Sequence, residues 1–495
     1  MANLHFKSTR SDSEHLTFAQ AVVKGIASDG GLFVPEAMPE INLLDESLMT
    51  LSYQELAMRI LELFATDFSE AELRHCVTLA YDEKFRNVAI APIHTCGKAS
   101  FIELYHGKTL AFKDMALSIL PHFMTTSAKK LGTKEKIVIL AATSGDTGKA
   151  ALEGFSDVDG VEIIVFYPTD GVSDVQKRQM ITQEGENTHV FGINGNFDDA
   201  QNGVKRIFTD ENYKAALKEK GYILSSANSI NIGRLVPQIV YYISSYYQLA
   251  KAQSITLGES INVVVPTGNF GNILAAYYAK QLGLPIKKFI CASNHNNVLT
   301  DFFNTGVYDL KRDFIPSISP SMDILISSNL ERFLYAISDD DSHTIATLMS
   351  DLKSKGSYEI TNAMKLNMAD FYGGFADDKA TVDAISSLSS DYGYTIDTHT
   401  AVAYQVYRDY VKKTKDETPT LIASTASPFK FPRSVLEGLG ESVSAFDDFE
   451  LVEKLAQVAH IEVPGPIKAI ETRPILHKDI CDKNDLNQVI LKVLG

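Results

Sequence analysis

The sequence predicts an α/β protein: two units, each built on a parallel sheet, behind a mainly helical N-terminal domain. Three observations carry this. Short β-branched runs, apolar at nearly every residue, recur along the chain from about Pro92, and near-continuous apolar strands are those buried on both faces of a parallel sheet. Segments with helical spacing alternate with those runs, as crossover helices must. Before Pro92 the spacing is helical. At about 150 residues per domain, 495 residues suggest roughly three domains or subdomains. The pattern changes divide them as 1–92, 93–255 and 256–495.

Taken in order, Thr17-Phe18-Ala19-Gln20 has capping-box spacing and opens an apolar-periodic run that stops at Gly25. Asp29-Gly30-Gly31 is a turn and Leu32–Pro35 a short extended piece. Residues 52–64 and 70–81 have helical spacing. Seven strands follow: 101–105, 137–142, 162–167, 189–193, 261–265, 289–292 and 420–424. All but the first are closely followed by Gly, Ser, Asn or Pro. Residues 298–391 read as mixed helix and loop elaborating the second unit. Ligands of such sheets bind beyond the C-terminal strand ends, so the loops there are where chemistry is expected.

Composition removes several function classes. Forty-six basic and 62 acidic side chains give a net charge of −16, ill suited to non-specific nucleic-acid binding. Any anionic ligand must therefore be met by local donors and cations. The four cysteines, Cys76, Cys96, Cys291 and Cys481, form no C-x-x-C pair and no disulfide framework. There is no apolar run long enough for a membrane span and no apolar h-region at the N-terminus. The expectation is a soluble cytoplasmic protein. No His, Cys, Asp and Glu grouping has metal-ligand spacing.

Four loops carry the chemistry. After the first strand, His106-Gly107-Lys108-Thr109-Leu110-Ala111-Phe112-Lys113-Asp114 leads into apolar helical spacing. A lysine at a helix start, wedged among Leu110, Ala111 and Phe112, meets a positive dipole end and apolar neighbours. Both lower its basicity, and a neutral amine is what Schiff-base chemistry requires. After the second, Thr143-Ser144-Gly145-Asp146-Thr147-Gly148 makes a donor-rich cup for a carboxylate or phosphate. After strand 261–265, Gly268-Asn269-Phe270-Gly271-Asn272 lets backbone N–H groups approach a phosphate at a helix start. It lacks the glycine order of a dinucleotide site. After the last strand, the Thr425 hydroxyl could meet a ring nitrogen of a cofactor or cap the next helix. Asp397 and His399, two apart on an extended stretch, would share a face and suggest an acid–base pair.

In this order the loops resemble threonine synthase, a pyridoxal-phosphate family of the tryptophan-synthase-β-like fold (fold type II). The resemblance also takes in Leu16-Thr17-Phe18, Asp29–Pro35 and Asn228-Ser229, and so spans essentially the whole chain. It implies pyridoxal 5'-phosphate as cofactor and Lys113 as its Schiff-base lysine and the catalytic base. Gly268, Asn269, Phe270, Gly271 and Asn272 would hold the cofactor phosphate, and Thr425 would face the pyridine nitrogen. The loop carrying Thr143, Ser144, Asp146 and Thr147 would take the substrate carboxylate. Asn228, Ser229 and Arg234 would take the substrate phosphate. Lys108 stands where many relatives carry an apolar residue or Pro, and would add a cation there. Ser427 and Phe429 replace the usual His and Ala.

The implied reaction is that of a carbon–oxygen lyase in threonine biosynthesis: O-phospho-L-homoserine and water give L-threonine and phosphate. A neutral hydroxyl at the ring nitrogen favours elimination and replacement over transamination. The alternative on the same scaffold is a phospho-lyase that releases 2-oxobutyrate, ammonia and phosphate. The expected partner is a small-molecule substrate, with neither nucleic acid nor membrane, and the chain would act as a monomer or homodimer.

Overall fold

In the computed structural model, which describes residues 3–143, 145–169, 172–468 and 470–495 apart from the side chains of Phe197 and Asp198, the N-terminal region folds as its caps dictate. Thr17 and Gln20 form a reciprocal capping box at the start of helix Phe18–Lys24, which ends at Gly25. Ser52 with Glu55 and Ser69 with Glu72 do the same for helices Tyr53–Leu61 and Glu70–Ala80. This domain does not stand apart. Phe18 packs edge-to-face on Phe123 of helix Leu120–Leu131, with ring centroids 5.2 Å apart.

Two large sheets organise the rest of the described residues, with a small antiparallel pair of Val307–Asp309 and Ser357–Glu359 beside them. One has six strands in the order Phe371–Phe375, Ile286–Ser293, Ile261–Pro266, Thr420–Ser424, Ala99–Glu103, Ile93–Cys96. All neighbours in it are parallel except the last pair. The other has five parallel strands in the order Ile480–Asp482, Thr188–Asn194, Val161–Pro168, Lys136–Ala142, Tyr222–Ser225. Every residue of Ile261–Pro266 and of Thr420–Ser424 is buried, which explains their continuous apolar run.

The chain crosses between the sheets in ways periodicity cannot reveal. Ala99–Glu103, expected with the first unit, pairs with Thr420–Ser424 from the far end of the chain. Ile480–Asp482 joins the first unit's sheet at its edge. Strand Phe371–Phe375 lies in a stretch read as helix and loop, because Gly373 and Gly374 interrupt its apolar pattern. A Cβ on Gly373 would lie 2.9 Å from the Thr300 Cα, so the glycine lets helix Val298–Thr305 lie close on this strand.

Two local expectations change. The helix after Lys113 stops at Leu117, and a second begins at Leu120 with Pro121 in its first turn, because proline has no N–H to continue the ladder. Asp397 and His399 are not on a strand: Asp397 caps helix Thr398–Thr414 and accepts from the His399 and Thr400 backbone N–H groups. Among the described residues no helix is long and apolar enough to cross a membrane.

Candidate active site

The Lys113 loop is stitched to the loop that follows the last central strand. Ala111 and Ala426 form an antiparallel bridge, the Phe112 N–H donates to the Thr425 carbonyl at 2.8 Å, and the Ser427 N–H donates to the Leu110 carbonyl at 3.0 Å. Leu110 sits at φ 61°, a left-handed conformation uncommon for a non-glycine residue, held by these bonds. Asp114 ties the loop from within, accepting from the Thr109 N–H at 2.8 Å and the Thr109 hydroxyl at 2.5 Å.

Lys113 is 9% exposed, with its Nζ 4.9 Å from the centroid of the Phe112 ring and 3.6 Å from Asp146 Oδ2. Burial lowers its basicity, Asp146 opposes that, and the nearby charges of Lys430 and Arg234 add to the lowering. The dipole invoked from sequence is minor, because the helix it heads has four residues.

Asp146 is the centre of a buried polar cluster. Its Oδ1 lies 2.7 Å from the Lys430 Nζ and accepts from Gln176 Nε2 at 3.0 Å, and its Oδ2 accepts from the Ser321 hydroxyl at 3.3 Å. Burial disfavours the charged carboxylate, but Lys430 and then Lys113 outweigh it and hold Asp146 well below the usual carboxylate range. Thr143 shapes the same loop: its hydroxyl accepts from the Gly145 N–H at 3.0 Å and the Gly148 N–H at 2.9 Å. The first-turn N–H groups of Asp146 and Thr147 have no intrahelical acceptor. Ser144 lies outside the described residues.

The glycine loop heads helix Gly271–Gln281, with Phe270 left-handed at φ 63°. A Cβ on Gly268 would come within 2.7 Å of the Ser321 carbonyl oxygen, whereas one on Gly271 would meet nothing closer than 3.5 Å. The Asn269 carbonyl accepts from Asn329 Nδ2 at 3.0 Å. The Asn272 Oδ1 accepts from the hydroxyls of Tyr241 and Tyr242, while its buried Nδ2 has no partner among the described residues, so the side chain keeps a free donor in addition to the backbone N–H groups of the loop.

Arg234 is the unbalanced group. It is 4% exposed, donates through Nη1 to the Ala227 carbonyl at 2.9 Å, and leaves a buried Nε without a partner among the described residues. Burial lowers its guanidinium to about 10. Arg332 is also buried, but its donors meet the Phe33 carbonyl, Asn329 Oδ1 and the Ile230 carbonyl, so it is a structural arginine. Asn228 is exposed and Ser229 half-buried, with the Ser229 carbonyl accepting from Asn329 Nδ2 at 3.2 Å.

Lys108 is seated elsewhere. Its Nζ pairs with Glu153 Oε1 at 2.9 Å, on a cleft of about 340 Å³ lined by Lys149, Glu153, Gln179, Gln183 and Arg473 as well as Lys108 itself. Asp397 and His399 do come together, with His399 Nδ1 2.8 Å from Asp397 Oδ2. The Ser321 N–H donates to His399 Nε2 at 3.1 Å, so Nε2 is the unprotonated nitrogen and Nδ1 carries the proton given to Asp397. Lys430, Ser321 and Gln176 are site residues that sequence reasoning missed. Only Lys430 left a signal, a lysine set among Phe429, Phe431 and two prolines.

These residues suit pyridoxal phosphate. Lys113 offers a buried amine of reduced basicity, the glycine loop opens a helix N-terminus of eleven residues to a phosphate, and Arg234 Nε is a donor without an acceptor. Comparisons agree. A family model described as "Pyridoxal-phosphate dependent enzyme" matches residues 101–426, one for the threonine synthase N terminus matches 5–81, and one for its C-terminal region matches 400–475. Human "Threonine synthase-like 1" is 43% identical over 85% of this chain, which spans only 58% of that relative's length. Threonine synthase of Pseudomonas aeruginosa is 37% identical, covering 89% of this chain and 91% of its own. The crystal structure of PLP-bound threonine synthase from Brucella melitensis is 34% identical with a TM-score of 0.87, and that of the yeast enzyme 30% identical with 0.88. Both cover 99% of each chain.

Proposed function

Because the chain belongs to the threonine synthase family of pyridoxal-phosphate-dependent enzymes, we propose that it converts O-phospho-L-homoserine and water to L-threonine and phosphate. The observation that carries the substrate reading is Arg234: a buried guanidinium beside Lys113, with a free Nε and no carboxylate partner among the described residues, fits a phosphate monoester.

When bound, pyridoxal phosphate supplies the electron sink that accepts charge as the substrate's C–H bonds are broken. Lys113 would hold the cofactor through Nζ, and as a neutral amine it would be placed to take the substrate's Cα proton from close range. The backbone of the Gly268–Asn272 loop and the start of its helix hold the cofactor phosphate. The Thr425 hydroxyl would face the cofactor's ring nitrogen as a neutral partner. The first-turn N–H groups of Asp146 and Thr147 orient the substrate carboxylate. Arg234, with Asn228 and Ser229, grips the phosphate that leaves from Cγ before water adds at Cβ.

The four cysteines are free thiols and three are buried, which supports a reducing, cytoplasmic setting. The test is product analysis of the purified protein with O-phospho-L-homoserine. Threonine and phosphate in equal amounts are expected. Release of 2-oxobutyrate and ammonia would replace this reading by the phospho-lyase one.

A further inference from the structure

Two buried lysines share one buried carboxylate, and the hydrogen bonds assign the charge. Lys430 is fully buried and its ammonium has three acceptors: Asp146 Oδ1 at 2.7 Å, the Thr109 carbonyl at 3.0 Å and Gln179 Oε1 at 3.4 Å. An ammonium has three donors, so each is used and the side chain is fixed. Among the described residues Lys113 has only Asp146 Oδ2 at 3.6 Å, beyond hydrogen-bond length, and the Phe112 ring. A buried cation persists where its donors are met. The charge therefore belongs on Lys430.

We propose that Lys430 is a positioning residue for the cofactor-bearing amine: it supplies the counter-charge to Asp146, so that Asp146 does not hold Lys113 as an ammonium. Without Lys430, Asp146 would be a buried carboxylate whose nearest cation is Lys113, and the pair would lock the amine in the form that cannot bond to the cofactor. The charged groups acting on Lys113 are Asp146, Lys430 and Arg234. Further out, Lys430 and Glu153 act on Asp114, and the ring of His399 lies near Asp146. This rests on Lys113 carrying the cofactor, as proposed above.

The experiment follows the lysine-bound cofactor's visible absorbance against pH in the holoenzyme, with borohydride fixation and peptide mass analysis to locate the attachment. In Lys430→Met the midpoint for keeping that band should move up by about one pH unit, a tenfold change in the amine's protonation. Adding Asp146→Asn should bring it back, because no buried carboxylate then needs a cation. An unchanged midpoint in Lys430→Met, or a double variant that does not return, would overturn the proposal. If Lys430→Met fails to fold while the double variant folds with the parent's midpoint, the charge argument stands; if neither folds, Lys430 serves the shape of the fold and the proposal falls. A parent protein not fixed at Lys113 would overturn the Lys113 assignment, and this inference with it. A parent fixed there, with an unmoved Lys430→Met midpoint, overturns this inference alone.

Discussion

The backbone N–H of Phe112 donates to the carbonyl of Thr425 at 2.8 Å, so residues more than three hundred positions apart fix Lys113 against the loop of the last central strand. That bond accompanies the antiparallel bridge of Ala111 with Ala426, just beyond the parallel pairing of Ala99–Glu103 with Thr420–Ser424, which closes at the Leu104 N–H on the Ser424 carbonyl at 3.0 Å. Lys113 is thus placed by backbone, while its side chain remains free to react.

The first prediction follows. Lys113→Ala should lower turnover by at least ~10²–10⁴-fold, the usual contribution of a positioned base, and more if covalent attachment is also required. The fold should persist, because the bonds that hold the loop are to Leu110, Ala111 and Phe112, and Asp146 keeps Lys430. Steady-state phosphate release together with a thermal melt measures both. Near-parental turnover would remove Lys113 from the centre of the site.

The glycine loop gives a paired test. A side chain at Gly268 collides with the Ser321 backbone even in the cofactor-free protein, whereas Gly271 has ordinary space around its Cβ position. Gly268→Ala should therefore lose both stability and cofactor. Gly271→Val should melt close to the parent yet bind pyridoxal phosphate at least about tenfold more weakly, because one weakened charge-assisted hydrogen bond already costs ~1.5–3 kcal/mol. Fluorescence titration of cofactor into the two variants decides it. If Gly271→Val binds like the parent, the phosphate is held elsewhere.

How much of this was legible is itself a physical matter. The glycine loop, the capping boxes and the strand at 420–424 were readable because their causes are local: turn chemistry, caps and burial on both faces. Strand Tyr222–Ser225 left no signal because it is only half-buried, and Phe371–Phe375 hid behind its glycines. Ser321 was unreadable as a site residue and Lys430 left only its apolar setting as a signal, since what makes them site residues is contact with Asp146 across the fold. Lys108 shows the converse: the resemblance implied an added cation at the substrate phosphate, yet its ammonium pairs with Glu153.

Asp114 supplies a prediction in pH. Burial pushes its carboxyl up to about 6, against the two bonds from Thr109. Between about pH 4 and 6 the folded state then binds more protons than the unfolded one, so losing that proton favours unfolding and this group makes stability fall as pH rises. A carboxyl raised that far above its ordinary range changes stability by at most about 3 kcal/mol. Asp114→Asn removes the ionisation, and its amide can still pair with Thr109. The variant should gain on the parent as pH rises through that window, as read by urea unfolding at several pH values. A difference that does not change with pH would contradict the assignment.

Arg234 tests substrate and stability together. Among the described residues it has one side-chain bond, to the Ala227 carbonyl, and a partnerless Nε, which leave a buried charge without a balancing carboxylate. A structural arginine and a ligand-binding one therefore predict opposite outcomes. If Arg234 grips the substrate phosphate through parallel N–H···O bonds, Arg234→Lys keeps the charge but not the fork, and should lose at least about tenfold in kcat/KM, since charge-assisted bonds are worth ~1.5–3 kcal/mol each. The absorbance of the bound cofactor should be unchanged, and a neutral homoserine ester should be processed as by the parent. Arg234→Met should abolish use of the phosphate ester and yet unfold no more easily than the parent, because an apolar chain of similar length replaces a charge that burial disfavours. The measurements are steady-state kinetics on the two substrates and denaturant unfolding of both variants without cofactor. Equal losses on the phosphate and the ester, accompanied by a drop of several kcal/mol in stability, would make Arg234 a second Arg332, and the substrate phosphate would have to be sought at another group.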